Sequence, residues 1–206
     1  MRVRVKICGV TSVTDALLAV EAGADLIGLN FYPPSPRFVP EPLAREIRAV
    51  LSPTVWCVGV FVNAGREQVA TLAEQLDLHA LQFHGEETVA ELQGWQRTVI
   101  KALRIRSDEP LPACEGWPAN YFLLDSYSSD QYGGTGKPFA WERVATLPYK
   151  QRRRVILAGG LTPENVAAAV RTVRPWAVDV SSGVESAAGR KDAEKLRAFI
   201  AYAKSA

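Results

Sequence analysis

The chain has 206 residues, 48% of them hydrophobic, and a formal net charge of +2. That length suits one domain with a sizeable core, and the composition excludes an intrinsically disordered chain. The near balance of charge leaves no bulk electrostatic case for nucleic acid or for a membrane surface.

Short apolar runs recur along the chain, and most are followed by a helical pattern. Residues 3–8 read as a strand and 13–21 as a helix, and the pairs 26–31 with 41–50, 55–61 with 66–76, and 80–83 with 88–95 repeat the unit. The fifth strand is 99–103, but the link that follows, 106–118, is rich in proline and lacks a helical period, so a degenerate helix or a loop is expected there. Strand and helix return at 121–125 with 140–145, at 155–158 with 163–171, and at 177–180 with 193–204. Most strands are apolar on both faces, as strands covered on both sides must be. Thr162-Pro163-Glu164 offers a capping hydroxyl, a proline and an acid for one helix start.

Eight strands alternating with helices imply a parallel sheet, and no GxGxxG follows the first strand to open a dinucleotide site. The expected fold is α/β: residues 1–206 as a single (β/α)8 TIM-barrel domain, with a degenerate or missing helix after strand five. Cys8, Cys57 and Cys114 form no CxxC pair and cannot all be disulfide-bonded within one chain. The N-terminal residues 1–6 alternate charge without an apolar stretch, and the longest apolar run, 55–62, is too short for a bilayer. A cytoplasmic protein is expected, with no membrane or nucleic-acid partner, and the sequence leaves both a monomer and a homodimer open. The basic run Arg152-Arg153-Arg154 reads as a solvated link before strand seven, with a partner site as the alternative.

In such barrels chemistry sits where strands end and loops begin. Three glycine-rich stretches stand there on adjacent strands: Gly133-Gly134-Thr135-Gly136, Gly159-Gly160 and Ser181-Ser182-Gly183. Glycine lets backbone N–H groups approach an anion, so together they point to a phosphorylated small substrate. Cys8 closes strand one and Asp125 closes strand six. A thiol there is either a small core residue or, as thiolate, a base, and a carboxyl at a strand exit is a structural cap or a general acid. If Cys8 faces the lumen, Lys6 lies beneath it and needs a carboxylate, for which Asp179 on strand eight is nearest. Arg37, in a loop stiffened by Pro33, Pro34 and Pro36, is a surface arginine or a carboxylate clamp. Gln82 and His84 share one face. His84 is not expected to bind metal, because the other histidine, His79, begins the same strand and no ligand cluster accompanies them. No metal and no cofactor are expected.

Lys6-Ile7-Cys8-Gly9, Ser35-Pro36-Arg37, Gln82-Phe83-His84-Gly85, Leu124-Asp125-Ser126, Gly133-Gly134-Thr135-Gly136-Lys137, the Leu157-Ala158-Gly159-Gly160-Leu161 run and Asp179-Val180-Ser181-Ser182-Gly183-Val184-Glu185 run from the first strand to the last. In that order they resemble the motifs of the phosphoribosylanthranilate isomerase family. The resemblance implies an Amadori rearrangement in tryptophan biosynthesis, with Cys8 as general base, Asp125 as general acid and Arg37 as anchor for the anthranilate carboxylate. It further implies that the glycine-rich loops after strands six, seven and eight hold the phosphate. The sequence departs from the family at Phe83, where leucine is usual, and at Leu29-Asn30-Phe31, which is more polar than the usual triplet. Two rivals are weighed against it, another phosphosugar barrel enzyme and a barrel without catalysis. Indole-glycerol-phosphate synthase needs a lysine at the barrel mouth, for which Lys101 is the candidate, and a pentose-phosphate epimerase wants metal-binding histidines with paired aspartates. A non-catalytic phosphosugar-binding barrel would bind without turnover.

Overall fold

The computed structural model describes residues 2–106, 109–111, 114–126 and 141–206. Eight parallel strands close into a barrel in chain order: β1 (Arg4–Cys8), β2 (Leu26–Asn30), β3 (Trp56–Phe61), β4 (Ala80–Phe83), β5 (Thr98–Ile105), β6 (Tyr121–Ser126), β7 (Val155–Leu157) and β8 (Ala177–Val180). The ring closes where β1 pairs with β8, placing Lys6 level with Asp179. On its other edge Lys6 is level with Leu26 of β2.

Alternation along each strand sorts the side chains into two cores. Leu26, Val58, Ile100, Leu123 and Ile156 point inward and pack against one another. At the N-terminal pole Trp176 stacks on Tyr121, with ring centroids 3.8 Å apart, and leans on Trp56 at 5.8 Å. Outward-facing Val5, Ile7, Ile27, Leu29 and Val178 are buried beneath the helices. Each such branched side chain contributes about 1.5–3 kcal/mol on leaving water. The lumen is thus apolar at one pole and turns polar toward the other, where Lys6, Gln82, Asp125 and Asp179 lie buried.

The helices α1 (Val13–Glu21), α2 (Glu41–Val50), α3 (Arg66–Gln75), α4 (Trp141–Ala145), α5 (Tyr149–Arg152), α6 (Val166–Val173) and α7 (Ala193–Lys204) run over the outside. Ser12 caps α1 by accepting from the amide of Asp15, and Asp192 caps α7 by accepting from those of Glu194 and Lys195. Past β8 the chain forms a short 3₁₀ turn (Ser182–Val184) and a hairpin of β9 (Glu185–Ala187) with β10 (Arg190–Lys191).

Two expectations need correction. No helix forms over residues 88–95, which make turns instead. Glu91 spends its carboxylate on the amide and hydroxyl of Thr88, the Trp95 indole takes the carbonyl of Glu91, and Gly94 stands at φ 75°, off any helical path. Nor does the Thr162 hydroxyl cap α6. The regular helix begins at Val166, the Thr162 amide donates to Oδ1 of Asn165, and its hydroxyl bonds the Glu164 carboxylate, holding that acid below its usual range. The link after β5 has no helix among its described residues. The arginine run before β7 is occupied with the N-terminal pole: Arg152, Arg153 and Arg154 donate to the carbonyls of Val173, Pro175 and Asn120.

Candidate active site

At the C-terminal mouth the strand exits surround a cavity of about 300 Å³, at the small end of the range for small-molecule sites. Cys8, Arg37, His84, Asp125 and Asp179 line it, together with Gly159, Gly160, Ser181, Ser182 and Gly183. The residues singled out at strands one, two, four, six, seven and eight therefore meet in one place. The Gly133–Gly136 stretch lies outside the described residues.

Beneath the cavity, Lys6 is wholly shielded from solvent, and its Nζ donates to Oδ1 of Asp179 at 2.8 Å. Burial alone would depress Lys6, but the charge of Asp179, seconded by Cys8, overrides it and holds the ammonium above the ordinary lysine value. Lys6 also hydrogen-bonds the Cys8 sulfur. Space for both comes from Gly28 of β2: a Cβ there would stand 2.9 Å from Sγ of Cys8 and 3.1 Å from Nζ of Lys6. Burial raises the Cys8 thiol above its ordinary value; Lys6 and Lys191 pull against that and Asp179 adds to it. Lys6 favours the thiolate, as alternation along β1 implies, yet desolvation wins.

Asp125 is buried on β6, three strands around the ring from β1 by way of β8 and β7. His84 faces it, with Nε2 3.7 Å from Oδ2 of Asp125. Gln82, fully buried one layer below, donates its amide N–H to Nδ1 of His84 at 2.9 Å, so the imidazole proton stands on Nε2, toward the carboxyl.

Arg37 reaches the cavity from the loop after β2. Asn30 shapes that loop: its Oδ1 accepts from the Tyr32 amide, its Nδ2 donates to Oγ of Ser35, and the same Oγ accepts from the amide of Arg37. The guanidinium is not a free fork. Nε and Nη2 donate to the two oxygens of Glu185 at 2.9 and 2.7 Å, which raises Arg37 further and outweighs the burial of Glu185 to hold that carboxyl low. What Arg37 presents to a ligand is its remaining edge.

A further part of the wall is backbone. Gly159 and Gly160 adopt φ of 80° and 65°, and the Gly160 carbonyl is pinned by Nδ2 of Asn165 at 2.8 Å. Gly183 packs against the Leu161 carbonyl with no room for a Cβ. Two adjacent loops thus turn bare backbone toward the cavity, the arrangement an anion needs.

Sequence reasoning passed over Glu185, Lys191, Gly28 and the shaping role of Asn30. Glu185 stood at the end of a quoted motif, and the polar Asn30 inside an apolar triplet was a usable signal; Lys191 gave none. Lys101, the candidate mouth lysine, faces away from the lumen. It is buried outside the ring, donating to Glu87 and to the Gly85 carbonyl, both at 2.7 Å.

A closed ring of eight strands with a polar cavity at its C-terminal mouth defines a TIM-barrel enzyme. The chain matches the family described as N-(5'phosphoribosyl)anthranilate (PRA) isomerase over residues 5–202. It is 52% identical over 200 residues to the N-(5'-phosphoribosyl)anthranilate isomerase of Pseudomonas fluorescens strain Pf0-1, covering 96% of this chain and 97% of that one. The crystal structure of the phosphoribosyl anthranilate isomerase from Thermotoga maritima superposes with a TM-score of 0.86 at 40% identity, over 99% of this chain and all of that one. A structure of such an isomerase in complex with reduced 1-(o-carboxyphenylamino)-1-deoxyribulose 5-phosphate gives 0.81 at 38% identity, with the same coverage. The chain belongs to the N-(5'-phosphoribosyl)anthranilate isomerase family.

Proposed function

We propose that the protein converts N-(5'-phosphoribosyl)anthranilate to 1-(2-carboxyphenylamino)-1-deoxyribulose 5-phosphate, a step of tryptophan biosynthesis, and that residues 1–206 act as one catalytic domain. The observation that carries this reading is the shared cavity: a thiol, a carboxyl, a guanidinium and two bare-backbone loops around one small volume.

In this reading Asp125, protonated, donates to the furanose ring oxygen and the ring opens to an iminium. The Cys8 thiolate then takes the proton from the adjacent sugar carbon, and the resulting enolamine tautomerises to the ketone. The backbone at Gly159, Gly160 and Ser181–Gly183 holds the phosphate, and the outer edge of Arg37 holds the anthranilate carboxylate. Fixing both ends keeps the sugar between acid and base, where proximity supplies what the proton transfers alone do not. His84 and Gln82 support the acid, and Lys6 with Asp179 supports the base. Every step is a proton transfer or a bond rearrangement, and the chemistry calls for no cofactor. Since burial raises the thiol, the resting protein holds Cys8 mostly protonated near neutrality, and kcat/KM climbs with pH as the thiolate forms.

We also place the enzyme in the cytoplasm, in keeping with its cysteine usage; among the described residues no helix is long and apolar enough to cross a membrane. The test is direct. Purified protein is mixed with N-(5'-phosphoribosyl)anthranilate and the anthranilate fluorescence followed. Loss of signal at a rate proportional to protein supports the reading, whereas binding without turnover rejects it in favour of a phosphosugar-binding barrel.

A further inference from the structure

The hairpin after β8 carries a lysine that the mechanism above does not use. The side chain of Lys191 is 0% exposed. Its Nζ meets three oxygens: the Cys8 carbonyl at 2.7 Å, the Ser181 carbonyl at 3.2 Å and Oε1 of Glu185 at 2.9 Å. An ammonium has three N–H groups and no acceptor, so all its donors are engaged. Two of these oxygens belong to residues that line the cavity, Cys8 and Ser181, and the third belongs to the residue that grips the lining residue Arg37. One is the peptide of the thiol residue, one opens the glycine-rich loop after β8, and one is the carboxylate that grips Arg37.

The hairpin is itself held down on both sides. The Thr11 hydroxyl donates to the Gly189 carbonyl, the Lys191 amide donates to Oδ2 of Asp15 at 3.1 Å, and a Cβ on Gly189 would stand 3.3 Å from the Pro36 carbonyl. Burying an ammonium here is costly; desolvation pulls Lys191 below the ordinary lysine value against the attraction of Glu185. For stability alone an apolar side chain of similar volume often serves a buried ion-pair position as well or better.

We propose that Lys191 is a positioning residue, whose ammonium locks the thiol-bearing strand, the phosphate-side loop and, through Glu185, the guanidinium of Arg37 into one frame. The inference rests on the isomerase reading of this cavity. It implies that losing Lys191 disturbs base, phosphate site and carboxylate anchor together. The charges facing the Cys8 sulfur are Lys6 from its own strand, Asp179 from β8, Lys191 from the hairpin and Arg37 from the loop after β2. Removing the positive charge of Lys191 disfavours the thiolate, so the low-pH limb of kcat/KM moves to higher pH.

The test uses the full chain and the fluorescence assay, with wild type alongside. Lys191→Met and Lys191→Gln, folded by circular dichroism at the assay temperature, are expected to lose about tenfold or more in kcat/KM, divided between kcat and KM, because an ångström-scale misplacement of reacting groups costs up to about a hundredfold. Their low-pH limb lies above that of wild type. Lys191→Arg keeps the charge but not the three-way geometry, so it restores the limb while kcat stays low. Lys204→Met, which removes a partly buried ammonium paired with Asp25, leaves kcat, KM and limb unchanged. A folded neutral variant with wild-type kcat, KM and limb overturns the inference. If neither neutral variant folds, Lys191→Arg decides: wild-type constants overturn the claim, and a low kcat on an unmoved limb supports it. Failure of wild type to turn over substrate strikes the isomerase reading itself and is told apart by that control.

Discussion

Replacing Lys6 with methionine tests the ion pair under the cavity floor. The side chains of Lys6 and Asp179 are 0% and 10% exposed and lie 2.8 Å apart. Lys6→Met is close in volume, so packing is kept while Asp179 loses its counter-ion. Breaking a buried pair from one side costs about 3–5 kcal/mol. At about 2–4 °C per kcal/mol for a chain of this size, the melting temperature falls by about 6–20 °C. The double variant Lys6→Met/Asp179→Asn, which leaves no bare charge, recovers most of that loss. Because Lys6 is held above the ordinary lysine range, its contribution is intact below about pH 10.4 and is lost only as pH rises through the elevated value. Thermal melts at pH 7 follow stability. A second readout is the pH dependence of Cys8 alkylation in a Cys57→Ala/Cys114→Ala background, where one thiol reports. Without Lys6 the thiolate loses its nearest cation, and the alkylation midpoint shifts to higher pH. A cost under about 1 kcal/mol, against the range for buried pairs, together with an unmoved midpoint, would refute the reasoning.

Cys8→Ser and Asp125→Asn are each expected to lower kcat by about 10²–10⁴-fold with little change in KM, the range for a lost general acid or base, as steady-state kinetics will report. Arg37→Ala raises KM more than it lowers kcat, since the guanidinium binds rather than moves a proton; an equal loss in kcat alone would contradict that role. Gly183→Ala forces the loop after β8 away from the Leu161 carbonyl. Loss of one charge-assisted contact, about 1.5–3 kcal/mol, weakens competitive inhibition by inorganic phosphate by about tenfold or more.

The strand order was legible because each barrel strand is a short apolar run doubly covered by protein, a pattern independent of tertiary detail. Alternation along β1 went further and predicted that Lys6 sits under Cys8 and needs Asp179, which is the contact found. Residues 88–95 misled because their helical spacing of apolar residues is outvoted by side-chain bonds of Glu91 and by the backbone at Gly94. Arg37 was visible as a stiffened cation, but not that Glu185 would occupy two of its nitrogens, since that partner lies 148 positions away. Lys191 was hidden for the same reason. It sits in a hairpin with no periodic signal, and its acceptors Cys8 and Ser181 are main-chain carbonyls that no side-chain pattern announces.

Closure of the ring also has a consequence for how the protein is made. The contacts of Lys6 with Asp179, Thr11 with Gly189 and Asp15 with Lys191 each join residues more than 170 positions apart. A growing polypeptide halted after β7 has an open sheet, with β1 and β7 both offering unpaired edges, and a lysine waiting in the lumen for a carboxylate still to be translated. The catalytic mouth is therefore assembled at a seam sewn last. Its completion awaits β8 and the hairpin beyond it, and until then the nascent sheet depends on shielding from its neighbours.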